Sequence, residues 1–430
     1  MTGSRSLRTA GPGALAVILA APLLWLWLGP EVDSPDLSAL WMAGRFLADG
    51  RPDLVYPADA GVFTMLPPPE WFAKNGADGR TGEVFPFLYP PLWAWAFAQL
   101  TKVATLPGVI AVAGTLNATM LALCPLLALR IARPALGPVW FIASALAAYA
   151  FTTVGAVAML QNQPQIAVSF LTLLAIERSE SGRPRAAGAA LAMAAAIKLY
   201  PALIAVIWLF SGRRREAAVF AVLGAALALL SLAVAGWPLH AEFLRLIRVI
   251  AATGMATNLS YGLDGLLGQL FFADSAVFVR SPVRDPALGP LSGWSVLPRP
   301  LWAGLGLGAA QIAVLVLTGL RLAREDHPFR RACVWAAALT LLAWLGPVGW
   351  AYYYIAPLAF LPLVFDRLRP FTAGTLVLLL LLLVPVSPWV SQIFADAVPV
   401  LRRPQLLGCL FVAALAIVFL YLARSDDAPR

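Results

Sequence analysis

Long apolar runs separated by short basic clusters dominate the pattern along the chain. The runs are about 20 residues long and recur from end to end, which is the length that an α-helix needs to cross a bilayer. The composition agrees with this pattern, since 60% of the residues are hydrophobic and 12% are charged. Soluble domains average about 45–50% apolar and about 25% charged residues. The sequence therefore predicts an all-α polytopic membrane protein.

The apolar runs predict about 12 transmembrane helices in a single integral membrane domain, 1–430, with both termini in the cytoplasm. Two longer polar stretches interrupt the runs: a long first extracytoplasmic loop, 30–90, and a second extracytoplasmic segment, 237–300. The predicted spans are 13–29, 108–130, 137–157, 164–177, 185–199, 201–211, 216–236, 301–322, 331–346, 350–366, 371–385 and 404–424.

The charges between the apolar runs set the predicted orientation. Arg5 and Arg8 precede the first run, which we interpret as an uncleaved span, and basic clusters such as "GRRRE" at 212–216 mark cytoplasmic turns. Loop 30–90 has nine acidic and four basic residues, so it is predicted to lie outside. The net charge of +9 thus reflects topology and does not indicate nucleic-acid binding.

Both outer segments contain stretches with apolar residues at a spacing of three or four. The stretches 37–48 and 241–252 are predicted to form amphipathic helices that lie on the outer membrane face.

Two stretches do not fit simple membrane crossing. Loop charges place Tyr89 outside and Arg130 inside, so the chain crosses the membrane an odd number of times between them. Because 108–130 is already one predicted span, 91–106 is predicted to be a half-helix that does not cross and is buried in protein. The apolar stretch 186–211 is too short for two full spans, because two spans need about 40 residues. It is predicted to form two short helices broken at Pro201, with Lys198 and Tyr200 at the apex.

Lys198 is the most unusual residue of the chain. It interrupts the apolar stretch "LAMAAAIKLYPALIAVIWLF" and is one of only three lysines. A charge at membrane depth is costly and is retained mostly for function. An anionic lipid phosphate is the natural partner for this ammonium group, with Tyr200 beside it.

Further polar candidates lie at the outer ends of the apolar runs. Asp33 and Asp36 follow the first run, and Asp36 is either a helix cap or a general base for a sugar hydroxyl. Tyr89 in "FLYPPLW" is predicted to line a cavity. The four amides of "MLQNQPQ" (159–165), among them Gln161, Asn162 and Gln163, either provide interfacial polarity or bind sugar hydroxyls.

The sequence offers no pattern of metal ligands. Its three cysteines lie far apart in apolar runs, and its two histidines are too few for a metal site. The outer loop has no D-x-D motif. We therefore expect neither a metal nor a cofactor, apart from the donor substrate.

Six segments together resemble glycosyltransferase family 87. They are "DLSALWMAGRFLADGRPDLVY", "FLYPPLW", "QNQPQIAVSFLTLLAI", "AAAIKLYPALI", "NLSYGLDGLL" and "GPVGWAYYYIAPL", and they cover about residues 30–365. The resemblance implies a GT-C-like fold and a polyprenyl-phosphate sugar as donor on the outer side. It places the family aspartate on Asp36, the glutamine motif on Gln161–Gln163 and the lysine on Lys198.

The resemblance also extends the expected substrate site. Asn258, in the fifth segment, is expected to bind substrate, as are Trp350, Tyr352 and Tyr353 in the sixth. Relatives often have Trp then His at this last position, whereas this chain has no histidine there. A tyrosine is then expected to bond a phosphate or hydroxyl in its place.

The favoured hypothesis is a hexosyltransferase, expected to transfer mannose from polyprenyl phosphate to an extracytoplasmic lipid or glycan acceptor. Transfer would be inverting and metal-independent, with Asp36 as general base, in a bacterial inner membrane. A lipid-linked-sugar flippase is the alternative from another class, because transporters also use broken helices. An O-antigen-type polymerase or ligase is a third hypothesis, which would use the outer arginines Arg280, Arg284 and Arg299.

Overall fold

The chain folds as a bundle of helices whose lengths vary from one turn to ten. The computed structural model describes residues 3–59, 61–257, 259–281, 293–383 and 404–424. The helices are α1 (Gly3–Trp27), α2 (Pro35–Ala48), α3 (Glu70–Ala77), α4 (Pro91–Leu100), α5 (Leu106–Ala132), α6 (Pro138–Ala150), α7 (Thr153–Leu160), α8 (Gln165–Glu180), α9 (Pro184–Ile197), α10 (Leu203–Phe210), α11 (Arg214–Ala251), α12 (Leu263–Phe271), α13 (Leu301–Arg324), α14 (Pro328–Leu345), α15 (Ile355–Leu358), α16 (Val364–Arg367), α17 (Pro370–Leu383) and α18 (Pro404–Arg424).

The lengths and hydropathies of these helices agree with a membrane protein. Among the described residues, α5, α11, α13 and α18 are long and apolar enough to cross a bilayer. A fifth span results if α6 and α7, which meet at an angle of 68°, are counted as one. The other predicted spans correspond to helices that do not combine this length with this hydropathy, so the number of about 12 spans stays a prediction.

Both predicted irregular stretches are present as short helices. The stretch 91–106 contains α4, which is ten residues long and packs against α2 and α11. The stretch 186–211 contains α9 and α10, separated by a 3₁₀ turn, Tyr200–Ala202. The break begins at Lys198, three residues before Pro201, because Lys198 has an extended backbone.

The prediction of an all-α chain is wrong in the second outer segment. Three antiparallel strands form a small sheet in the order β1 (Thr253–Ala256), β3 (Gly293–Pro298), β2 (Val277–Arg280). In its register Gly254 lies opposite Leu297, and Phe278 lies opposite Ser295. The strands have only four to six residues, too few for an alternating pattern to stand out beside the long apolar runs.

Helix α2 forms as predicted, but it is enclosed by protein and does not lie on the membrane face. Most of its residues are buried, including Leu37, Trp41 and Phe46. The helix approaches α4 closely at Gly44, where an added Cβ atom would lie 2.6 Å from the backbone carbon of Phe97. Only glycine permits this approach, so Gly44 fixes α2 directly against α4.

The second amphipathic stretch, 241–252, forms the last three turns of α11. Gly236 interrupts this helix with φ 75° and ψ 161°, values that favour glycine. Beyond the interruption the apolar Phe243 and Leu246 are buried while the charged Glu242 and Arg248 are exposed, so the stretch has the predicted amphipathic character. Its location on a membrane face stays a prediction.

A largely buried ion cluster fixes the C-terminal end of α8. Glu180 accepts hydrogen bonds from Arg331 at 2.8 and 3.0 Å and forms an ion pair with Arg213 at 2.9 Å. The Trp335 indole donates a further bond to Glu180 at 2.9 Å. The cluster ties α8 to α14 and to the start of α11, at the opposite end of α8 from Gln165.

Candidate active site

The break between α9 and α10 presents the Lys198 side chain to neighbouring segments. Helix α9 ends at Ile197, and Lys198 follows with φ −139° and ψ 137°. The Trp93 indole of α4 donates a hydrogen bond of 2.7 Å to the Ala196 carbonyl. This bond satisfies one of the carbonyls that the end of a helix leaves unpaired, so α4 helps to stabilise the break.

Three tyrosine rings surround the Lys198 ammonium group. The distances from Nζ to the ring centroids are 5.6 Å for Tyr89, 5.2 Å for Tyr352 and 5.1 Å for Tyr353. Cation–π contacts at such distances contribute about 0.5–2 kcal/mol each, depending on desolvation. The rings thus stabilise the cation without neutralising it, which leaves its charge for an anionic ligand.

The Gln163 amide connects the groups of this cluster. Its Oε1 atom accepts hydrogen bonds from the Tyr89 hydroxyl at 2.9 Å and from Lys198 Nζ at 3.4 Å. The same amide also interacts with the carboxyl group of Asp36. Gln163 is almost fully buried, so its orientation is set by these partners.

A turn between α7 and α8 directs Gln163 into the cluster. Asn162 has a left-handed backbone with φ 54°, which asparagine tolerates better than most residues, and Pro164 precedes α8. The Asn162 amide accepts a bond from Asn117 Nδ2 at 2.8 Å and donates one to the Ile110 carbonyl at 3.0 Å. Both ends of this amide therefore hold the turn against α5.

Asp36 lies in the first turn of α2, and Ser34 is the N-cap residue. The Oδ2 atom of Asp36 is buried and has no hydrogen-bond partner among the described residues. Burial raises the pKa of the Asp36 carboxyl, while the Lys198 ammonium and the Gln163 amide oppose this increase. A buried carboxyl group with an unused oxygen and a raised pKa has the properties of a general base.

An aromatic segment forms the wall of the cluster around Lys198. Residues Ala351–Tyr354 form a 3₁₀ turn, and within it the rings of Tyr352 and Tyr353 meet edge to face at 5.5 Å. Trp350 stacks on Tyr352 at 5.9 Å, and Tyr353 lies 5.5 Å from Tyr200. The Tyr200 hydroxyl accepts a hydrogen bond of 2.5 Å from Gln165 Nε2.

Comparison with known families decides the class of the protein. The model of glycosyltransferase family 87 matches residues 87–345, which is more than half of the chain. The chain belongs to glycosyltransferase family 87. No curated protein matches the chain at a significant level.

Membership of family 87 makes this protein a glycosyltransferase with membrane helices, which decides against the flippase hypothesis. The matched range includes Tyr89, Gln163 and Lys198. Asp36 and the segment 350–353 lie outside the matched range, so their place in the site rests on the geometry of the cluster.

The structure of this family 87 enzyme does not bring every predicted residue into the cluster. Asp33 forms an ion pair with Arg80 at 3.1 Å, and Asn162 uses its amide to hold the α7–α8 turn. Gln161 is the C-cap residue of α7, where its backbone N–H bonds the Val157 carbonyl. Asn258 lies outside the described residues.

Of the outer arginines of the polymerase or ligase hypothesis, the two that the structure describes lie at opposite ends of β3, because Arg280 pairs with Gly293. Arg280 ends β2, whereas Arg299 follows β3 and forms an ion pair with Asp264 at 2.5 Å. Arg284 lies outside the described residues.

Two residues of the site, Glu83 and Tyr56, were not predicted from the sequence, and Gln165 was predicted only as one of the four amides of its motif. Gln165 is fully buried, and its Oε1 atom has no partner among the described residues. It belongs to the same amide-rich motif as Gln163, which was the available signal. Glu83 acts electrostatically on Asp36, and the Tyr56 hydroxyl bonds the Tyr89 carbonyl at 2.8 Å. Neither has a local signal, because both reach the cluster through the folding of the outer loop.

The described residues contain no group of three or more His, Cys, Asp or Glu side chains that could hold a metal ion. The metal-independent reaction stays a prediction. The cation that the cluster does contain is Lys198.

Proposed function

We propose that this family 87 enzyme transfers a hexosyl residue, mannosyl in our expectation, from a polyprenyl-phosphate sugar to an extracytoplasmic lipid or glycan acceptor. One observation supports this proposal above all others. A cation with no direct ion pair among the described residues, Lys198, and a carboxyl group with an unused oxygen, Asp36, both interact with the Gln163 amide. Transfer from a phosphate donor needs both groups, the carboxyl group as a base for the attacking hydroxyl and the ammonium group for the charge of the leaving phosphate.

In this proposal Lys198 binds the phosphate of the donor, with Tyr200, Tyr352 and Tyr353 around it. The phosphate gains negative charge as its bond to the sugar breaks, so a fixed ammonium group stabilises the transition state more than the ground state. A hydrogen bond to a charged group contributes about 1.5–3 kcal/mol, which is the order expected for this contact.

Asp36 accepts the proton of the acceptor hydroxyl in the same step. The hydroxyl oxygen forms a bond to the anomeric carbon while the bond from that carbon to the phosphate oxygen breaks. The proton passes to Asp36, and polyprenyl phosphate leaves with the electron pair of the broken bond. This is a single displacement with inversion, so a β-linked donor gives an α-linked product.

The membrane setting supports a lipid-linked donor. The helices around the cluster are apolar, and Lys198 lies at the break of two short helices that are both rich in apolar residues. We propose a GT-C-like arrangement of about 12 spans in a bacterial inner membrane, with the cluster on the extracytoplasmic face. The sugar-binding contacts are assigned to Tyr89 and to the amides Gln163 and Gln165.

The proposal is tested with the full chain in lipid nanodiscs. Polyprenyl-phosphate mannose, glucose and arabinose, each radiolabelled in the sugar, are supplied with a lipid extract as acceptor, with and without EDTA. We expect label from the mannose donor to enter a new product in both conditions, and NMR of the product to show inverted linkage. Transfer that is lost in EDTA contradicts the metal-independent step, and a retained linkage contradicts single displacement.

Transfer of a different sugar would correct the donor and leave the mechanism in place. In sealed vesicles, movement of label across the bilayer without a new product would contradict the proposed transfer by this chain. The Asp36→Asn chain serves as the negative control, since it keeps the fold of the site and lacks the proposed base.

A further inference from the structure

The aromatic wall of the candidate site begins at a strained backbone. Val348 has φ 64°, and Gly349 follows with φ 36°. The left-handed region is strongly unfavourable for a β-branched residue, so Val348 occupies it only because surrounding contacts impose it. Trp350 and the 3₁₀ turn Ala351–Tyr354 follow directly, so this conformation sets where Tyr352 and Tyr353 lie.

Two side chains from the second outer segment hold both ends of Val348. The carboxylate Oδ2 of Asp264 accepts a hydrogen bond from the Val348 N–H at 3.1 Å. The Ser260 hydroxyl donates a hydrogen bond to the Val348 carbonyl at 2.9 Å.

Backbone hydrogen bonds continue this pairing toward the site. The Tyr261 N–H bonds the Gly349 carbonyl at 2.8 Å, and the Ala351 N–H bonds the Leu259 carbonyl at 2.7 Å. Segment 259–261 therefore lies along segment 349–351 like a short antiparallel pair.

Asp264 is itself fixed by a buried ion pair. Arg299 Nη2 lies 2.5 Å from Asp264 Oδ2, and the side chains are 10% and 0% exposed, so water screens their attraction very little. Arg299 follows β3 directly, and its N–H bonds the Ala252 carbonyl at 2.7 Å, just before β1. The small sheet thus positions Arg299, Arg299 orients Asp264, and Asp264 holds Val348.

The local sequence provides the space that this carboxylate needs. An added Cβ atom at Gly262 would lie 2.5 Å from Asp264 Oδ1 and 3.1 Å from the Gly349 nitrogen. Oδ1 itself has no hydrogen-bond partner among the described residues. A buried charge that does not use all its hydrogen-bonding capacity is costly for stability alone.

We propose that Asp264 is a positioning residue for the transfer reaction. It holds Val348 in the left-handed conformation, and through it places the Tyr352 and Tyr353 rings against Lys198. The sheet of the second outer segment is thereby part of the donor-phosphate site. The inference rests on the proposed function, because it assigns the positioned rings to donor binding.

Two double variants of the full chain separate the hydrogen bond to Val348 from the ion pair. Asp264→Leu with Arg299→Met removes both, while Asp264→Asn with Arg299→Gln removes the charges and retains an oxygen acceptor for the Val348 N–H. Neither leaves an uncompensated buried charge. Glu180→Gln is the matched control, because it breaks the largely buried ion pairs of Glu180 with Arg213 and Arg331, which lie outside the cluster around Lys198.

We expect the Leu–Met variant to raise the donor KM by about tenfold or more, because small displacements of positioning groups cost large factors in rate or affinity. The Asn–Gln variant should stay within about threefold of the unaltered enzyme, and Glu180→Gln should lower Tm without changing donor KM. An unchanged donor KM in the Leu–Met variant would overturn the proposal, as would an equal increase in all three variants.

If the Leu–Met variant does not fold, Ser260→Ala decides. It removes only the bond to the Val348 carbonyl, so a raised donor KM at an unchanged Tm supports the positioning role, and an unchanged KM contradicts it. Hydrogen exchange of the peptide 346–354 gives a readout that needs no substrate. Faster exchange in Ser260→Ala than in Glu180→Gln confirms that Val348 is held from this side, even if the unaltered enzyme transfers no sugar from the donors supplied.

Discussion

Asp36 and Lys198, both among the described residues, interact electrostatically next to the Gln163 amide. They do not form a direct ion pair. A direct pair would neutralise both groups. Instead, the oxygen of the Gln163 amide accepts a hydrogen bond from Lys198, and the same amide interacts with the Asp36 carboxyl. Each charged group is therefore still able to bind a substrate. This arrangement suits a reaction that needs a base and a phosphate-binding cation at the same time.

Asp36→Asn is expected to lower turnover by about 10²–10⁴-fold, the usual effect of losing a general base, with the fold retained. Steady-state transfer rates at saturating donor, with Tm measured alongside, check this. Asp33→Asn is the matched control, because Asp33 forms a partly exposed ion pair with Arg80. A larger loss of turnover from Asp33→Asn than from Asp36→Asn would show that the base has been assigned to the wrong aspartate.

Lys198→Met is expected to weaken donor binding ten- to a hundredfold, since a charge-assisted contact contributes about 1.5–3 kcal/mol. Equilibrium binding of the polyprenyl-phosphate sugar to protein in nanodiscs measures this directly. Lys102→Met is the control, because the Lys102 side chain is exposed and, among the residues that the structure describes, bonds only Gln99, at 2.9 Å. Equal donor affinity in the two variants would remove Lys198 from the donor site.

Gln163→Glu is expected to weaken donor binding by about tenfold or more, because the new carboxylate would pair with Lys198 and compete with the phosphate. Gln161→Glu, in the same motif but at the partly exposed C-cap of α7, should have little effect. The donor Kd of both variants provides the comparison. If both bind donor like the unaltered enzyme, Gln163 does not control the charge of Lys198.

The pH dependence of transfer should report the raised pKa of Asp36. A base is active when deprotonated, so kcat/KM should fall as the pH decreases through this pKa. Because burial raises the pKa, the fall should begin well above the value of about 3.9 that is normal for aspartate. Asp36→Asn should lack this acidic limb. A profile that is flat down to pH 5 in the unaltered enzyme would contradict the raised pKa.

Cysteine labelling of intact cells tests the predicted orientation of the chain in the membrane. Asp53→Cys is expected to react with a membrane-impermeant maleimide from outside, and Arg214→Cys only after the cells are opened. Both positions are exposed, whereas the native Cys124, Cys333 and Cys409 are buried and should remain unlabelled. The reverse pattern would place the candidate site on the cytoplasmic side.

Local sequence signals were sufficient for many of the helices and for the residues at the centre of the candidate site. Long apolar runs have a strong periodicity, and a lysine within one of them is chemically anomalous, so Lys198 and the break beside it were predictable. The amide-rich motif likewise indicated Gln163. Asp36 was predictable because its position after the first run and before an amphipathic stretch is local.

Contacts between distant segments were not predictable in this way. The bond from Val348 to Asp264 and the use of Asn162 to hold a turn depend on segments far apart in the chain meeting in space. The strands of the small sheet pair across intervening residues and are too short for a periodic signal. Asp264 lies within the segment "NLSYGLDGLL", but its sequence neighbours do not show which backbone N–H its carboxylate binds.

The contact between Gly44 and α4 also determines how the reaction can proceed. Asp36 opens a helix that is held backbone to backbone against its neighbour, so the proposed base is part of the rigid scaffold. A base of this kind cannot travel to meet substrates of different shapes. Selection of the acceptor then falls to geometry, because only a molecule that can present a hydroxyl at one fixed point will be glycosylated.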